Sequence, residues 1–328
     1  SHPELHQQTA KGGQLIMVDT TKKQSRPFLE MLSGFLYMNW LRPEVVIWDT
    51  VASQLIGSEL IKSSNIMEIG IGNGCFTFMA CGGRFKKEYD WYYNVDTAGF
   101  WKNRDIYDAF TCCDIAEYIA SPSPIRIKLA LDHKENLLKQ AAQLGFIDNL
   151  HVVDANDDFD FSGIDTVYSN ILYWLKDPLQ VLRNLDKRLS SGAKAIIVFP
   201  NSDFYKNCSS YSRSTELLKL LNRGRGDTLM WTMNMDQFSK VISKTGFVIN
   251  HYVKFLAPST LKIWDIGLRP LSPHLIKMAN GLSPELRSEI KMEWCETCMR
   301  FLDEMAELEL SEGPDRGGYN FVVLSKIT

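Results

Sequence analysis

The sequence predicts an α/β fold with a mostly parallel sheet and helices on both of its faces. Two observations support this: strand signals alternate with helical patterns through the middle of the chain, and a glycine-rich turn at 70–74 directly follows the first strand signal. Alternation of this kind is typical of parallel sheets, because each parallel strand needs a crossover connection.

The elements follow in order. Two apolar stretches at helical spacing within 28–61 predict a pair of helices before the sheet. Helices are then predicted in HKENLLKQAAQLG, DPLQVLRNLDKRLSSG and WTMNMDQFSKVISKTG. The strand signals are NIMEIG (65–70), RIKLALD (126–132), NLHVVDA (149–155), GIDTVYSN (163–170), AKAIIVFP (193–200), FVINHYVKF (247–255) and YNFVVLSKI (319–327). The last two could pair as an antiparallel edge.

Two long segments interrupt the alternation and define the domain organisation. We expect a polar tail and helical cap over 1–61, a core over 62–256 plus 317–328, an insertion at 76–125 and a helical insertion at 257–316. Both insertions are rich in aromatic residues. Segments of this length inside a compact domain usually have a function or their own structure.

Composition limits the classes of function. The chain has 328 residues, 45% hydrophobic and 23% charged, with a net charge of -3, which disfavours strong binding to nucleic acid or anionic membranes. No apolar run reaches the ~18 residues of a membrane span. Seven cysteines, an odd number, suit a reducing compartment, so the cytoplasm is the expected location. Oligomeric state is not indicated.

The glycine-rich turn is the clearest indication of a ligand-binding site in the sequence. Gly70, Gly72 and Gly74 form G-x-G-x-G after Glu68. No Lys-Ser/Thr follows, so this is not a P-loop, and the third glycine comes one residue early for a dinucleotide fingerprint. A tight turn between a strand and a helix is the purely structural alternative.

The order of several blocks resembles the class I S-adenosylmethionine-dependent methyltransferases, and more loosely their bacterial small-molecule members. The blocks are MEIGIGNGCF (67–76), LALDHKENLLKQAAQLG (129–145), LHVVDAN (150–156) and DTVYSNILYWLKDPLQVLRNLDKRLSSGAKAIIVF (165–199), with GYNFVVLSK near the end of the chain. The resemblance implies a seven-stranded Rossmann-like sheet whose last strand is antiparallel, with S-adenosylmethionine as cofactor.

The resemblance also implies roles for individual residues. The three glycines would wrap the methionine and ribose of the cofactor, and Glu68 would anchor the loop or face the ammonium group. The other implied contacts are Asp132 and His133 beside ribose and adenine, Asp154 and Ala155 at the adenine, and Asn170 and Ile171 beside the methyl group.

Some of these assignments have alternatives. Asp132 could instead cap the helix that follows it, and His133 could be a surface cap. Asp96 is the rival for the ribose contact, because it lies nearer the usual spacing from the glycines.

Catalytic residues are less evident. Methyl transfer needs alignment, exclusion of water and, for hydroxyl acceptors, removal of a proton. No base stands out in the sequence, so the catalytic residue stays unknown, with Tyr173 and Tyr93 as the candidates. CETC (295–298) has metal-ligand spacing, but its only possible partners are Cys112 and Cys113, so two thiols on a helix are the preferred interpretation and no metal site is predicted.

The predicted function is methyl transfer to oxygen or nitrogen of a small-molecule, sugar-like or lipid-like acceptor. The insertions would build the acceptor pocket with the helices of 28–61, using Trp91, Tyr92, Tyr93, Trp101, Trp264 and Trp294. Packing within the cap is the alternative role for these aromatics. The alternative functions are protein or RNA methylation, and a methyltransferase fold that only binds a partner.

Overall fold

The central sheet of the computed structural model has seven strands, of which only one runs against the others. Numbered along the chain, they are β1 (Ile66–Ile69), β4 (Leu129–Asp132), β5 (Leu150–Val152), β6 (Thr166–Ser169), β7 (Lys194–Pro200), β8 (Phe247–Phe255) and β9 (Tyr319–Lys326). Their spatial order is β5-β4-β1-β6-β7-β9-β8, and β9 is antiparallel to both of its neighbours. β2 (Arg84–Phe85) and β3 (Ile119–Ser121) form a separate antiparallel pair.

The structure describes residues 26–93, 95–96, 106–110, 114–204, 208, 232–312 and 317–327. Its α-helices there are α1 (Arg26–Met38), α2 (Val46–Leu60), α3 (Cys75–Ala80), α4 (Glu135–Ala141), α5 (Pro178–Arg188), α6 (Met235–Ile242), α7 (Pro258–Ile266), α8 (Ser272–Asn280) and α9 (Pro284–Glu312). Short 3-10 helices cover Pro43–Val45, Ile106–Ala109, Ile115–Tyr118, Ala142–Leu144, Leu172–Trp174 and Arg269–Leu271.

This topology confirms the predicted α/β class and the Rossmann-like sheet with an antiparallel last strand. The two final strands do pair antiparallel, but β9 lies inside the sheet and β8 forms the edge. The strand order reverses between β1 and β6, so the carboxyl ends of β1, β4 and β6 border the crevice where ligands bind in open α/β sheets.

Both faces of the five inner strands are buried, which explains why these strands are mostly apolar without alternation, whereas the edge strands β5 and β8 are partly exposed. In β1, Ile66 packs with the helices on one side, while Met67 and Ile69 belong to the core on the other. The first side includes Phe78 of α3, and the second includes Leu182 of α5. Covering by helices on both faces is the expected environment of a parallel sheet.

The N-terminal helices and the two insertions pack together as one cap. Trp40 and Trp294 meet edge to face, with ring centroids 6.2 Å apart. The Asn280 side chain donates to the carbonyl of Val95 at 3.1 Å, which ties the helical insertion to the first insertion. The predicted insertion at 76–125 begins inside α3, so its irregular part starts after that helix.

The chain leaves the sheet for the helical insertion at a strained corner. Leu256 has φ 61°, the only positive φ at a non-glycine residue in the described part of the chain. The Glu309 carboxylate accepts from the backbone N–H groups of Leu256 (2.7 Å) and Ala257 (2.6 Å). A leucine in this conformation costs about 1–2 kcal/mol, so the two charge-assisted hydrogen bonds stabilise a conformation the residue disfavours.

Two properties of the described residues bear on the membrane and metal hypotheses. No helix in those residues is long and apolar enough to cross a membrane. They also contain no group of three or more His, Cys, Asp or Glu side chains placed to hold a metal ion. Cys295 and Cys298 are buried thiols on α9, while Cys112 and Cys113 lie outside the described residues.

Candidate functional site

The glycine loop between β1 and α3 needs glycine at each of its three positions. Gly70, Gly72 and Gly74 have φ values of 84°, 59° and 76°, all in the region that other residues rarely adopt. A Cβ at Gly70 would lie 2.5 Å from the side chain of Ile171, whereas a Cβ at Gly72 would meet no atom within 4 Å. Gly70 therefore permits close packing, and Gly72 borders open space.

The backbone N–H groups of this loop already donate to acceptors within the protein. Those of Gly70 and Ile71 donate to the carbonyl of Leu131 at 2.8 and 3.2 Å, and that of Gly74 donates to the carbonyl of Ile71. The Cys75 N–H, at the start of α3, donates to the Asn73 side chain at 3.2 Å. Phosphate sites use such groups as free donors, so this loop has few to offer to a phosphate chain.

Asp132 ends β4 and holds the loop from the neighbouring strand. Its Oδ2 accepts from the Gly72 N–H at 2.8 Å, and its Oδ1 accepts from the Lys134 N–H at 2.9 Å. The residue is 9% exposed. A carboxylate has about four acceptor positions, so two remain for a ligand hydroxyl. Helix α4 starts only at Glu135, and its N-cap is Lys134 rather than Asp132.

Glu68 lies beneath the loop rather than in it. Its Oε1 accepts from the Thr77 hydroxyl at 2.8 Å, which joins β1 to α3, and its Oε2 is buried without a hydrogen-bond partner. The pKa of Glu68 is raised from 4.5 to about 8, chiefly by burial; the Thr77 hydrogen bond opposes this rise and the nearby Asp132 charge contributes to it. The side chain is therefore mostly protonated at neutral pH, so its geometry supports the anchoring role more than a charge partner for an ammonium group.

Asp154, Ala155 and His133 lie beyond the ends of β4 and β5. The Asp154 carboxylate accepts from the backbone N–H and the side-chain amide of Asn156, at 2.9 and 2.8 Å. These bonds, with help from His133, lower the pKa of Asp154, so it stays ionised. Ala155 is buried, and the His133 ring nitrogen Nδ1 lies 3.5 Å from Asp132 Oδ1. The structure thus brings these predicted residues to one side of Asp132.

Asn170 and Ile171 follow β6 on the other side of the loop. The Ser169 hydroxyl donates to the carbonyl of Ile69 at 3.1 Å and accepts from the Ile171 N–H at 3.3 Å. These bonds fix the turn after β6 against the end of β1. As a result the Ile171 side chain packs directly over Gly70, with Asn170 beside it at the same edge.

Tyr173 continues from this edge into a group of buried rings. Its hydroxyl is hydrogen-bonded to that of Tyr319, which begins β9 opposite the end of β7. Burial raises the pKa of Tyr173 well above its ordinary value, so its hydroxyl stays neutral and is poorly suited to act as a base. The rings that pack around Tyr319 belong to Trp48, Phe204, Phe255 and Trp264, at centroid distances of 5.6, 5.7, 5.6 and 6.1 Å.

We call the rings of Trp48, Phe76, Tyr173, Phe204, Phe255, Trp264 and Tyr319 the strand-end aromatic cluster. Phe76, in α3 just after the glycine loop, contacts Trp48 with ring centroids 5.7 Å apart. The cluster therefore extends from the glycine loop toward the carboxyl end of β7. Of the five insertion aromatics that were named from the sequence and that the structure describes, only Trp264 belongs to it.

The other insertion aromatics lie elsewhere. Trp91 packs on Tyr92 and Phe110, with ring centroids 5.0 and 4.3 Å apart, inside the first insertion. Trp294 packs on Trp40, as described above. Tyr93 is 51% exposed and lies 5.2 Å from the Arg287 guanidinium. Trp101 lies outside the described residues.

Asp96, the rival of Asp132, belongs to the first insertion. Its backbone N–H donates to the carbonyl of Ala109 at 2.8 Å, next to a bridge between Val95 and Phe110. It does not end a strand of the central sheet. The adjoining part of the insertion packs on the start of α4, where Asn136 donates to the carbonyl of Tyr107 at 3.0 Å.

Several members of the strand-end aromatic cluster were not predicted from the sequence as residues of the site. Phe255 is the last residue of its strand and Tyr319 the first of its own, so their positions relative to strand ends were a usable signal. Trp48 and Phe76 carried no such signal, because they lie on helices whose orientation follows from packing.

Comparison with known protein families found no match, and comparison with curated protein sequences found none either. Among solved structures, the plantazolicin methyltransferase BpumL in complex with SAH is 15% identical, with 93% of this chain and 92% of that chain covered and a TM-score of 0.44. A putative sarcosine dimethylglycine methyltransferase from Galdieria sulphuraria is 12% identical, with coverage of 84% and 85% and a TM-score of 0.43. The [4+2]-cyclase SpnF is 12% identical, with coverage of 83% and 80% and a TM-score of 0.42. The Rossmann-like fold is established by the strand order of the sheet itself.

Proposed function

We propose that the protein is an S-adenosylmethionine-dependent methyltransferase acting on a small molecule. The observation that carries this proposal is the hydrogen bonding of the backbone N–H groups in the glycine loop. Its N–H groups at residues 70, 71, 72, 74 and 75 are paired within the protein, one of them with the Asp132 carboxylate. A pyrophosphate would meet that negative charge and few free donors. S-adenosylmethionine has no phosphate, and its ammonium and sulfonium groups outweigh its one carboxylate, so the Asp132 charge does not repel it.

The described residues fit such a cofactor. The space over Gly72 can admit the ribose and methionine part, and Asp132 has acceptor positions left for ribose hydroxyls. Asp154 and Ala155 would face the adenine, and Asn170 and Ile171 would border the sulfonium. When bound, the cofactor supplies an electrophilic methyl group on sulfur.

The chain's own contribution would be to align the acceptor and exclude water. The strand-end aromatic cluster begins beside Ile171 and the glycine loop, which favours an acceptor with an apolar or ring-shaped part. Tyr173 would orient the acceptor through a neutral hydroxyl, because its raised pKa opposes deprotonation. An acceptor that enters as a neutral amine, or as an acidic hydroxyl, needs no strong base.

The two alternative functions, methylation of protein or RNA and binding of a partner without catalysis, make different demands on the structure. A protein or RNA methyltransferase would need a docking surface, and the net charge of -3 does not suggest one for RNA. A protein that only binds a partner would not need the acceptor positions that Asp132 keeps available.

Calorimetry tests the cofactor assignment. We expect S-adenosylhomocysteine to bind with saturation and NAD not to bind. Asp132→Asn should weaken binding of S-adenosylhomocysteine by roughly 10-fold to 100-fold, the equivalent of a charge-assisted hydrogen bond. Asp96→Asn is the matched control and should leave the affinity unchanged.

Saturable NAD binding without a response to S-adenosylhomocysteine would overturn the proposal. The reverse result for the two aspartates would place the ribose at Asp96 instead. Transfer of labelled methyl from S-adenosylmethionine to a panel of small amines and phenols then tests catalysis. Cofactor binding with transfer only to protein or RNA would favour the macromolecular alternative.

A further inference from the structure

A cavity of about 220 Å³ lies between the first insertion and the start of α9. One wall is a single face of that helix, since its lining residues are spaced three and four apart: Pro284, Arg287, Ser288, Lys291 and Met292. The facing wall is the turn at 87–90 with the ring of Tyr93.

Arg287 brings a buried guanidinium to this cavity. Its Nε donates to Asp90 Oδ2 at 2.8 Å, and its Nη1 donates to the Asn280 side-chain oxygen at 2.6 Å. Its Nη2 is buried with no hydrogen-bond partner, and the residue is only 3% exposed. Leaving a buried donor without a partner is unfavourable, so an acceptor at this position would be stabilised.

Lys291 brings a second buried cation, one turn further along the helix. Its ammonium donates to the backbone carbonyls of Lys87 at 2.7 Å and Tyr89 at 2.5 Å, which accounts for two of its three N–H donors. Burial lowers the pKa of Lys291 to about 8. A nearby anion would restore the charged form by the opposite effect.

The buried charges around the cavity do not cancel. Arg287 and Lys291 carry two positive charges, while Asp90 is the one buried carboxylate lining the described cavity. Both oxygens of Asp90 accept a hydrogen bond, one from Arg287 and the other from the Tyr92 N–H at 2.9 Å. At the exposed rim, Lys87 and Glu88 have opposite charges. The positive end of the α9 dipole adds to the excess of positive charge.

We propose that this cavity binds the oxyanion group of a small molecule, a carboxylate or a phosphate. Such a group would accept from Arg287 and Lys291 together and would neutralise the extra buried charge. The cavity volume suits a small ligand rather than a macromolecule. This proposal does not depend on methyl transfer.

The site is connected to the glycine loop by one side chain. Tyr89 lines the cavity, and its hydroxyl lies 3.2 Å from the Cys75 sulfur, at the start of α3. Tyr89 therefore links the cavity lining to the start of the helix that follows the glycine loop.

A competing account is that aromatic rings already satisfy Arg287. Its guanidinium lies 5.6 Å from the ring centroid of Trp40 and 5.2 Å from that of Tyr93. Contacts of this kind stabilise a cation but offer no hydrogen-bond acceptor to the Nη2 group, which an anion would supply.

The experiment measures binding of inorganic phosphate and of succinate by calorimetry at constant ionic strength, with chloride as the reference. We expect saturable binding of at least one of the two, and the stronger of them identifies the oxyanion. Ser288 is exposed and lines the cavity, so Ser288→Glu places a negative charge there without disturbing a buried pair. It should weaken binding tenfold or more, by charge repulsion. The matched control is Thr297→Glu, on an exposed position of the same helix away from the cavity, and it should change the affinity by less than twofold.

Absence of saturable binding of both anions to the wild-type protein would overturn the proposal. If Ser288→Glu and Thr297→Glu weaken binding equally, binding reflects net charge and the proposal is overturned. If neither substitution weakens binding, the anion binds at another site and the proposal is overturned too. All three results can be read without any assay of methyl transfer.

Discussion

Replacing Glu68 by glutamine should remove a large part of the pH dependence of stability. The pKa of Glu68 is raised from 4.5 to about 8 in the folded protein, chiefly by burial. Between these values the folded state holds a proton that the unfolded state has lost. Stability from this group is therefore full below about pH 4.5 and is lost as pH rises toward 8.

The size of the effect follows from the shift. A difference of about 3.5 in pKa corresponds to about 5 kcal/mol, at 1.36 kcal/mol for each unit. Glutamine keeps an acceptor for the Thr77 hydroxyl and has no proton to lose. From about pH 5 to about pH 9, the free energy of unfolding of the wild type should therefore fall by up to about 5 kcal/mol more than that of Glu68→Gln.

Urea denaturation at a series of pH values measures this difference, provided that unfolding is two-state. Asp49 also has a pKa raised by burial, to about 7, and it contributes in the same pH range. Because Asp49 is present in both proteins, its contribution cancels in the comparison. Parallel curves for the wild type and Glu68→Gln would refute the inference that Glu68 is protonated in the folded protein at neutral pH.

Two further predictions concern the loop and the cap. Gly72→Ala and Gly192→Ala place a Cβ at φ 59° and φ 83° with no atom within 4 Å, so both should lower stability by a similar amount, about 1 kcal/mol, in denaturation experiments. Only Gly72→Ala should also weaken binding of S-adenosylhomocysteine in calorimetry, and equal affinities would remove the cofactor from this loop. Asp90→Ala should destabilise the protein by about 3–5 kcal/mol, because it leaves the buried Arg287 guanidinium without its carboxylate. The double variant Asp90→Ala, Arg287→Met should recover most of that loss, and no recovery would argue against the ion pair as the cause.

The sheet was predictable from the sequence because its signals are local. Each strand is a short apolar run, and each crossover helix has its own apolar spacing, so alternation alone predicted the class of fold. The glycine loop was equally local: φ values above zero at Gly70, Gly72 and Gly74 agree with the choice of glycine there. The position of Asp132 at the end of β4 followed from the same alternation.

Other features depended on contacts between distant segments. The pairing of loop N–H groups with Leu131 and Asp132 requires two strands to lie side by side, which spacing cannot show. Tyr173 and Tyr319 meet because β9 enters the sheet beside β7. The high pKa of Glu68 arises from burial by α3, so its sequence position alone suggested an ordinary acid.

The corner at Leu256 makes the helical insertion a detour from the sheet. The chain departs at Leu256 and returns at Gly318, whose N–H donates to the carbonyl of Leu256 at 2.9 Å. The chain therefore leaves and re-enters the sheet at the same point. The register between β8 and β9 is set by their own pairing and not by the segment that connects them. The segment between these two points can therefore vary in length without altering the strand order, as long as Glu309 still holds the corner from within it.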